Sequence, residues 1–297
     1  MLMNSAPTDP VYRSYVDTFQ KTLQTLGWRD SQNLRLDTRW IAGDPERIRP
    51  FAEELVATAP DVILASGTAD LKAVLRATRT IPIVFVQVSD PVAQGFVSDL
   101  AHPGGNMTGF GAYEFAMGAK WVDLLKQTTP GLARIAVMFD PDTAPQSALF
   151  LRSIEAAAPG FGLQVKATPV HDTDDIERNI VEFAREPNGG LLLPTDSFTI
   201  VHQELIVALT ARYRLPTMAG SSDYASKGGL MSYAIDYPQQ FRQAAIYADR
   251  ILKGTKPGDL PIQLPTKFNL VINLKTARAL GVDVPTSLLM NADEVIE

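Results

Sequence analysis

The chain has no cysteine and only three histidines among its 297 residues. The lack of cysteine excludes disulfide bonds, thiolate nucleophiles, iron–sulfur clusters and cysteine-ligated zinc. His102, His171 and His202 form no pair at the four-residue spacing of a helical metal site, so each is interpreted as a surface or packing residue. The sequence therefore predicts no metal ion and no cofactor.

Several sequence signals of enzymes and nucleic-acid-binding proteins are also missing. The phosphate-binding lysine loop, the GxSxG nucleophile elbow and the GxGxxG fingerprint do not occur, and no nucleophile and base pair stands out. The basic residues are scattered along the sequence. The chain has 27 basic and 33 acidic residues, which gives a net charge of −6. We therefore expect neither catalysis nor a nucleic-acid partner.

Long apolar runs are absent as well. The longest, such as Ile81 to Val88, have the length of a strand and fall well short of the roughly 20 residues that span a bilayer. The first ten residues, MLMNSAPTDP, lack a basic region and an apolar core. We therefore expect a secretory signal to be either absent or already removed.

What the chain does contain is a repeated pattern of a short β-branched run, a polar or glycine loop and an amphipathic helix. This pattern is typical of βα units on parallel sheets. It predicts a first helix over Pro10 to Leu26, with Gly27 as its stop. Only Leu2 and Met3 stand before this helix, so we expect the chain to begin inside its first strand. A strand is predicted near Leu34 to Trp40.

Two further features concern the organisation of the chain. Pro50 falls inside the predicted helix Pro45 to Thr58, and we expect the regular part of that helix to lie after it. Near residue 112 the strand and helix alternation restarts, which indicates a second βα domain. The sequence as a whole predicts an α/β protein with two domains.

Candidate binding residues follow the predicted strands, because ligands of parallel sheets bind beyond the carboxyl ends of the strands. Ser66, Gly67 and Thr68 follow one strand, and Ser89 and Asp90 follow the next. Hydroxyls and free backbone N–H groups at a helix start suit a carboxylate. The alternative is that Ser66 or Thr68 only caps its helix.

The loops of the second half are acidic instead. Asp140 follows one strand, and Asp196 and Ser197 follow another, so that carboxylates could neutralise an ammonium group, although capping is an equally good interpretation. An α-amino acid fits this division of polarity. Aromatic residues beside the loops could pack a ligand side chain or simply belong to the core: Tyr113, Phe139, Phe198, Tyr224, Tyr233 and Tyr237.

Many segments, in order, resemble one family of proteins. They include PDVILASGTADL, TIPIVFVQVSDPVAQGFV, HPGGNMTGF, REPNGGLLLPTDSFT and LPTKFNLVINLKTARALG, and the match runs from about Pro10 to the C-terminus. Together they are similar to the substrate-binding proteins of ABC transporters, in the family with tryptophan- and other aromatic-amino-acid-binding members. This resemblance implies a type I periplasmic-binding-protein fold, with two Rossmann-like lobes, parallel sheets and three crossovers.

The resemblance also implies domain boundaries and site residues. One lobe would span residues 1–110 and 236–262, and the other residues 112–234 and 263–297. Hydroxyl loops of the first lobe hold the carboxylate in amino-acid-binding relatives, which here are Ser66, Gly67, Thr68, Ser89 and Asp90. Asp196 is the first choice for the amino group and Asp140 the second. Two segments depart from the pattern: Asn4 to Pro7, at the cleft rim, and AGSSDY in residues 219–224.

The function that follows is capture of a small solute, an amino acid with an aromatic or large apolar side chain, between two lobes that close by a hinge. We expect a periplasmic monomer that delivers this ligand to an ABC permease. Two alternatives use the same fold: a ligand-sensing regulator, which would need an additional DNA-binding domain, and a binder of a carboxylate that is not an amino acid. An enzyme is the third and weakest alternative.

Overall fold

Strands and helices alternate along the chain in the computed structural model, which describes residues 1–42, 44–112, 115–142, 144 and 146–297, apart from the side chains of Pro45 and Ser197. The strands are β1 (Leu2–Met3), β2 (Arg39–Trp40), β3 (Ile63–Ser66), β4 (Ile83–Val88), β5 (Met107–Gly111), β6 (Arg134–Phe139), β7 (Gln164–Pro169), β8 (Gly189–Leu193), β9 (Thr217–Ala219), β10 (Met231–Ile235), β11 (Phe268–Asn273) and β12 (Glu294–Ile296).

The α-helices are α1 (Pro10–Thr25), α2 (Ile48–Ala57), α3 (Thr68–Ala77), α4 (Met117–Thr128), α5 (Ser147–Ala157), α6 (Thr173–Phe183), α7 (Ser197–Val201), α8 (Gln203–Arg212), α9 (Tyr237–Leu252), α10 (Leu274–Leu280) and α11 (Thr286–Met290). Short 3₁₀ segments occupy Pro45–Arg47, Ala158–Phe161 and Pro257–Asp259. None of the described helices has both the length and the apolar character of a membrane span.

The chain forms two compact units. The first unit comprises Met1–Tyr113 and Asp236–Lys267, and the second comprises Glu114–Ile235 and Phe268–Glu297. The sequence prediction assigns residues 263–267 to the second lobe, whereas here they belong to the first unit. The reason is backbone pairing, since Gln263 N–H donates to Gly109 O at 3.0 Å and Gly111 N–H donates to Gln263 O at 2.8 Å.

The first unit is built on a parallel sheet with the strand order β2-β1-β3-β4-β5. Both faces of this sheet are covered, as the continuous apolar run of β4 predicts. Val84 and Val86 belong to one buried cluster, with side chains of α1 and α9, and Ile83 and Phe85 belong to another, with side chains of α2 and α3. The carboxyl ends of β1, β3 and β4 are therefore held at one edge of a rigid sheet.

The second unit has a larger sheet with the order β12-β11-β10-β9-β8-β6-β7. Its strands pair in parallel except for β10 and β11, which run antiparallel from Met231↔Ile272 to Ile235↔Phe268. Parallel sheets were predicted for both lobes, so this pair is a local departure. The ends of β6 and β8, which carry the predicted acids, lie on neighbouring strands.

Several local predictions can be compared with the structure. The first helix is confirmed, because Asp9 caps it through Val11 N–H and Tyr12 N–H and Gly27 follows it at φ +97°. The expectation about Pro50 is wrong, since α2 begins two residues before it. A proline in the first helical turn removes only an N–H that has no partner within the helix, so the helix tolerates it there.

The strand predicted over Leu34 to Trp40 is also shorter than expected. Regular pairing covers only Arg39 and Trp40, which lie opposite Leu2 and Met3 of β1. A ladder needs two partners, so the two residues of β1 limit the length of β2.

Candidate functional site

The start of α3 is the main feature at the carboxyl edge of the first unit's sheet. β3 ends at Ser66, Gly67 occupies the cap position, and the helix begins at Thr68 without a side-chain cap. Among the described residues, no side chain therefore caps the N–H groups of this first turn, which lie at the electropositive end of the helix. The alternative in which Ser66 or Thr68 caps the helix is wrong.

Gly67 has a conformation that other residues rarely adopt, with φ at +113°. A Cβ atom on it would lie 3.1 Å from the Asn4 amide nitrogen. Asn4, which follows β1 and is exposed, thus lies directly beside the start of α3. Asn4 belongs to the segment that the sequence prediction places at the cleft rim.

Two hydroxyls of this loop have partners within the protein. Ser66 is fully buried, and its hydroxyl donates to the Gln87 Oε1 atom at 2.8 Å. The Thr68 hydroxyl oxygen accepts the Ser89 N–H at 3.1 Å. The Thr68 O–H proton is not used in that bond, so Thr68 can still donate to a ligand, whereas Ser66 orients Gln87.

Tyr12 joins the same cluster from the first turn of α1. Burial raises the pKa of its hydroxyl, while side-chain hydrogen bonds with Asn4 and Gln87 act in the opposite direction. Three strand ends and one helix thus converge on a neutral polar cluster of Asn4, Tyr12, Gln87 and the start of α3. The sequence analysis does not select Tyr12 or Gln87 as site residues. Tyr12 fits the apolar stripe of α1, and Gln87 lies inside an apolar strand.

Asp90 has a local structural role in the structure. Its backbone is in the left-handed region at φ +33°, and its Oδ1 atom accepts the Ala93 N–H at 2.9 Å. Tyr237, the first residue of α9, is half-buried, with its ring 6.0 Å from that of Tyr15. Tyr113 lies outside the described residues, and so does the side chain of Ser197.

The predicted acids of the second unit are linked to each other through backbone donors. Asp196 is 1% exposed; its Oδ2 atom accepts the Asp140 N–H at 2.8 Å, and its Oδ1 atom accepts the Phe198 N–H at 2.9 Å. Asp140 is 4% exposed and accepts the Asp142 N–H at 2.8 Å. Both carboxylates therefore hold their loops in shape, as the capping interpretation expects.

Asp140 also belongs to the group that could hold a metal ion. Asp140, Asp142 and His171 each offer one ligand atom, and these atoms lie within 4.8 Å of one another. The His171 Nδ1 atom is 3.3 Å from Asp142 Oδ2 and 3.9 Å from Asp140 Oδ1. His171 therefore lies beside one buried and one exposed acid. Asp140 and Asp142 share the loop after β6, whereas His171 follows β7, so the sequence alone does not show that the three residues come together.

The segment AGSSDY begins at the last residue of β9 and takes part in a second polar network. Gln203 donates to the Ser221 hydroxyl at 2.6 Å and to Asp223 at 3.3 Å, while Lys227 lies 2.7 Å from Asp223. Tyr224 is fully buried, and burial raises its pKa to about 12. Tyr224 is therefore part of the core, not a wall for a ligand.

Comparisons with known proteins identify the family of the chain. The family model for "ABC transporter substrate binding protein" matches residues 8–296. The chain belongs to this family. The match spans both units, so the type I periplasmic-binding-protein fold applies to the whole chain.

Individual relatives are similar over most of the chain. A "Tyrosine-binding protein" of Clostridioides difficile is 26% identical over 264 residues, which is 89% of this chain and 75% of the relative. A crystal structure from Streptococcus pneumonia, described as an ABC domain in complex with L-Trp, is 25% identical with a TM-score of 0.85, over 99% of this chain and 98% of that one. A conserved domain protein of Vibrio cholerae is 26% identical with a TM-score of 0.84, over 99% and 98%.

Proposed function

We propose that this chain is the extracytoplasmic solute-binding component of an ABC importer and that its ligand is an α-amino acid with an aromatic side chain. The observation that carries this proposal is the start of α3, where a ten-residue helix begins behind Gly67 without a side-chain cap, beside Asn4 and Tyr12. Free N–H groups at a helix N-terminus favour a carboxylate. The two relatives described with tyrosine and L-Trp support the aromatic side chain.

In this proposal the N–H groups of Thr68 and Ala69 and the Thr68 hydroxyl bind the ligand's carboxylate. Gly67 is needed because a side chain there would push Asn4 aside. Ser66 and Ser89 act indirectly, by fixing Gln87 and Thr68. The second unit contributes Asp140 and Asp196 as candidate partners of the ammonium group. Tyr113 and Tyr237, which belong to the first unit, are candidate contacts of the aromatic ring.

In the proposed mechanism the protein binds the ligand reversibly and does not change it chemically. The ligand stabilises a closed arrangement of the two lobes, which a membrane permease then recognises, because a ligand shifts a conformational equilibrium toward the state that it binds more tightly. The protein acts as a periplasmic monomer and needs no cofactor. A regulator or a binder of other carboxylates would use the same fold, and the ligand spectrum separates the carboxylate binder from this proposal.

A thermal-shift panel tests the proposal. The twenty amino acids are compared with indole-3-propanoate, which lacks the ammonium group of L-tryptophan, and with arabinose and glucose. A ligand at a thousand times its Kd adds roughly 4 kcal/mol to the free energy of unfolding, or several degrees in Tm. We expect L-Trp, L-Tyr or L-Phe to raise Tm most. Stabilisation by sugars alone would refute the proposal.

A further inference from the structure

Asp70 is a buried acid of the first unit that the proposed contacts do not use. It lies in the first turn of α3, three residues after Gly67, and is 1% exposed. Its Oδ2 atom is buried without a hydrogen-bond partner among the described residues. Buried carboxylate oxygens are nearly always hydrogen-bonded, because an unpaired one costs free energy. The protein tolerates this cost beside its candidate binding loop.

No described residue forms a hydrogen bond with Asp70 Oδ2 or an ion pair with the Asp70 carboxylate. Burial is the cause that raises the pKa of Asp70 to about 7. The Asp70 charge is one of the causes that raise the pKa of Tyr12, which lies on α1. β3 and β4 have no ionisable side chains, and α2 carries Arg49, Glu53 and Glu54, which are all exposed. The field of Asp70 therefore acts on the polar cluster at the start of α3.

We propose that Asp70 sets the charge specificity of this site: it admits a zwitterionic α-amino acid and disfavours a ligand that carries a carboxylate alone. This inference rests on the proposed function, with the carboxylate at the start of α3. Charges in a poorly hydrated site interact beyond direct contact. Asp70 repels the ligand's carboxylate and attracts the ammonium group, which is one carbon away, so the two effects oppose each other. A carboxylate without an ammonium group is only repelled.

The test measures Kd by calorimetry for L-tryptophan and indole-3-propanoate, in the wild type and in Asp70→Asn, at about pH 6 and about pH 8. Both ligands keep their main charges between these pH values, while Asp70 titrates. The preference is the Kd of indole-3-propanoate divided by the Kd of L-tryptophan. At pH 8 we expect this ratio to be about tenfold larger in the wild type than in the variant. At pH 6 the wild-type preference shrinks toward the variant's value, which does not change with pH.

A matched control is Asp61→Asn. Asp61 is exposed and precedes β3, at the opposite end of the strand from Asp70, so this change removes the same charge far from the loop. We expect its ligand preference to equal that of the wild type. A purely structural effect of Asp70→Asn would weaken both ligands equally and leave the preference unchanged, which would overturn the inference.

The wild type alone provides a second test, in case Asp70→Asn does not fold. A preference for L-tryptophan that stays constant between pH 6 and pH 8, or that grows as the pH falls, contradicts a role for the Asp70 charge. If the wild type binds L-tryptophan but its preference does not increase from pH 6 to pH 8, only this inference fails. If the wild type binds neither ligand, L-tyrosine and its deaminated analogue, 3-(4-hydroxyphenyl)propanoate, replace them in the same test. If it binds none of L-tryptophan, L-tyrosine and L-phenylalanine, the proposed function fails, and the inference with it.

Discussion

The strand ends of the two units present carboxylates in opposite states. In the second unit, both Asp196 oxygens and one Asp140 oxygen accept backbone N–H groups. In the first unit, the start of α3 has no side-chain cap, and Asp70 beside it keeps a buried oxygen without a partner among the described residues. Satisfied acids stabilise loops, whereas free N–H groups and an uncompensated charge are available to a ligand.

This difference bears on the predicted roles of the acids in the second unit. Asp140 and Asp196 were selected as partners of an ammonium group, and in the structure each has backbone donors that explain its burial. A carboxylate oxygen can accept more than one hydrogen bond, so a ligand contact is still compatible with these bonds. In the first unit, in contrast, no described side chain caps the N–H groups at the start of α3. We therefore expect loss of an acid in the second unit to lower stability first, and changes in the loop before α3 to lower affinity first.

The largest expected effect is on the pH dependence of stability. Asp70 has a pKa near 7 in the folded protein, and near 3.8 in its ordinary state, so the folded protein binds more protons between these values. Its stability therefore falls as the pH rises from about 4 to about 7, and the loss is complete above pH 7. We expect Asp70→Asn to be more stable than the wild type at pH 8, by about 2–4 kcal/mol.

Denaturant titrations at pH 5 and pH 8 measure this difference, with Asp61→Asn as the control. The gain from Asp70→Asn should be smaller at pH 5 than at pH 8. An equal gain at both pH values would show that the charge of Asp70 is compensated in the folded protein, and the contrast between the two units would lose its basis.

The second prediction concerns Asp196. Asp196→Ala removes the acceptor of the Asp140 and Phe198 N–H groups, so we expect the free energy of unfolding to fall by about 2 kcal/mol or more. Urea unfolding followed by circular dichroism measures it. Asp196→Asn keeps one oxygen acceptor and should lose less. If Asp196→Ala abolished ligand binding without a loss of stability, the acid would be a ligand contact instead of a cap.

The third prediction concerns Gly67. Gly67→Ala adds a Cβ atom 3.1 Å from Asn4 on a backbone with φ at +113°, so we expect ligand affinity to fall by about tenfold. Gly254→Ala is a matched control, because Gly254 has φ +100° and open space around its Cβ position. Both variants should lose stability to a similar extent, and only the first should lose affinity. Equal affinities would place the ligand away from α3.

Part of this contrast can be predicted from the sequence. The loop of Ser66, Gly67 and Thr68 follows from a strand pattern, a glycine and a helix pattern, and the structure places these residues together. Asp70 could not be selected as a site residue from the sequence. Its position in the α3 helix can be predicted, but its burial depends on how α3 packs on the sheet. Whether its carboxylate finds a partner depends on the elements that pack against α3, which include α2, β3 and β4.

In the fold, too, features set by local sequence can be predicted, whereas features set by distant partners cannot. The α1 helix is predictable because its apolar stripe and its end signals, Asp9 and Gly27, are local. The short β2 and the antiparallel pairing of β10 with β11 depend on partners far away in sequence. The strand β12 was not predicted because Glu294–Ile296 contains only two apolar residues and gains its order by pairing with β11.

The smallest expected effect concerns Tyr12. Tyr12→Phe removes the hydroxyl that interacts with Asn4 and Gln87 while it keeps the ring, so we expect a loss of affinity of about threefold to tenfold. Calorimetry with L-tryptophan measures it. Tyr213→Phe, on the exit of α8 in the second unit, is the control and should bind like the wild type. A Tyr12→Phe variant with unchanged affinity would remove Tyr12 and Asn4 from the site.

The most direct test is a crystal structure of the chain with L-tryptophan bound. We expect the ligand's carboxylate to lie within hydrogen-bond distance of the Thr68 and Ala69 N–H groups, with Asn4 beside it. A carboxylate bound to other groups, with the start of α3 left to solvent, would show that this helix does not hold the ligand.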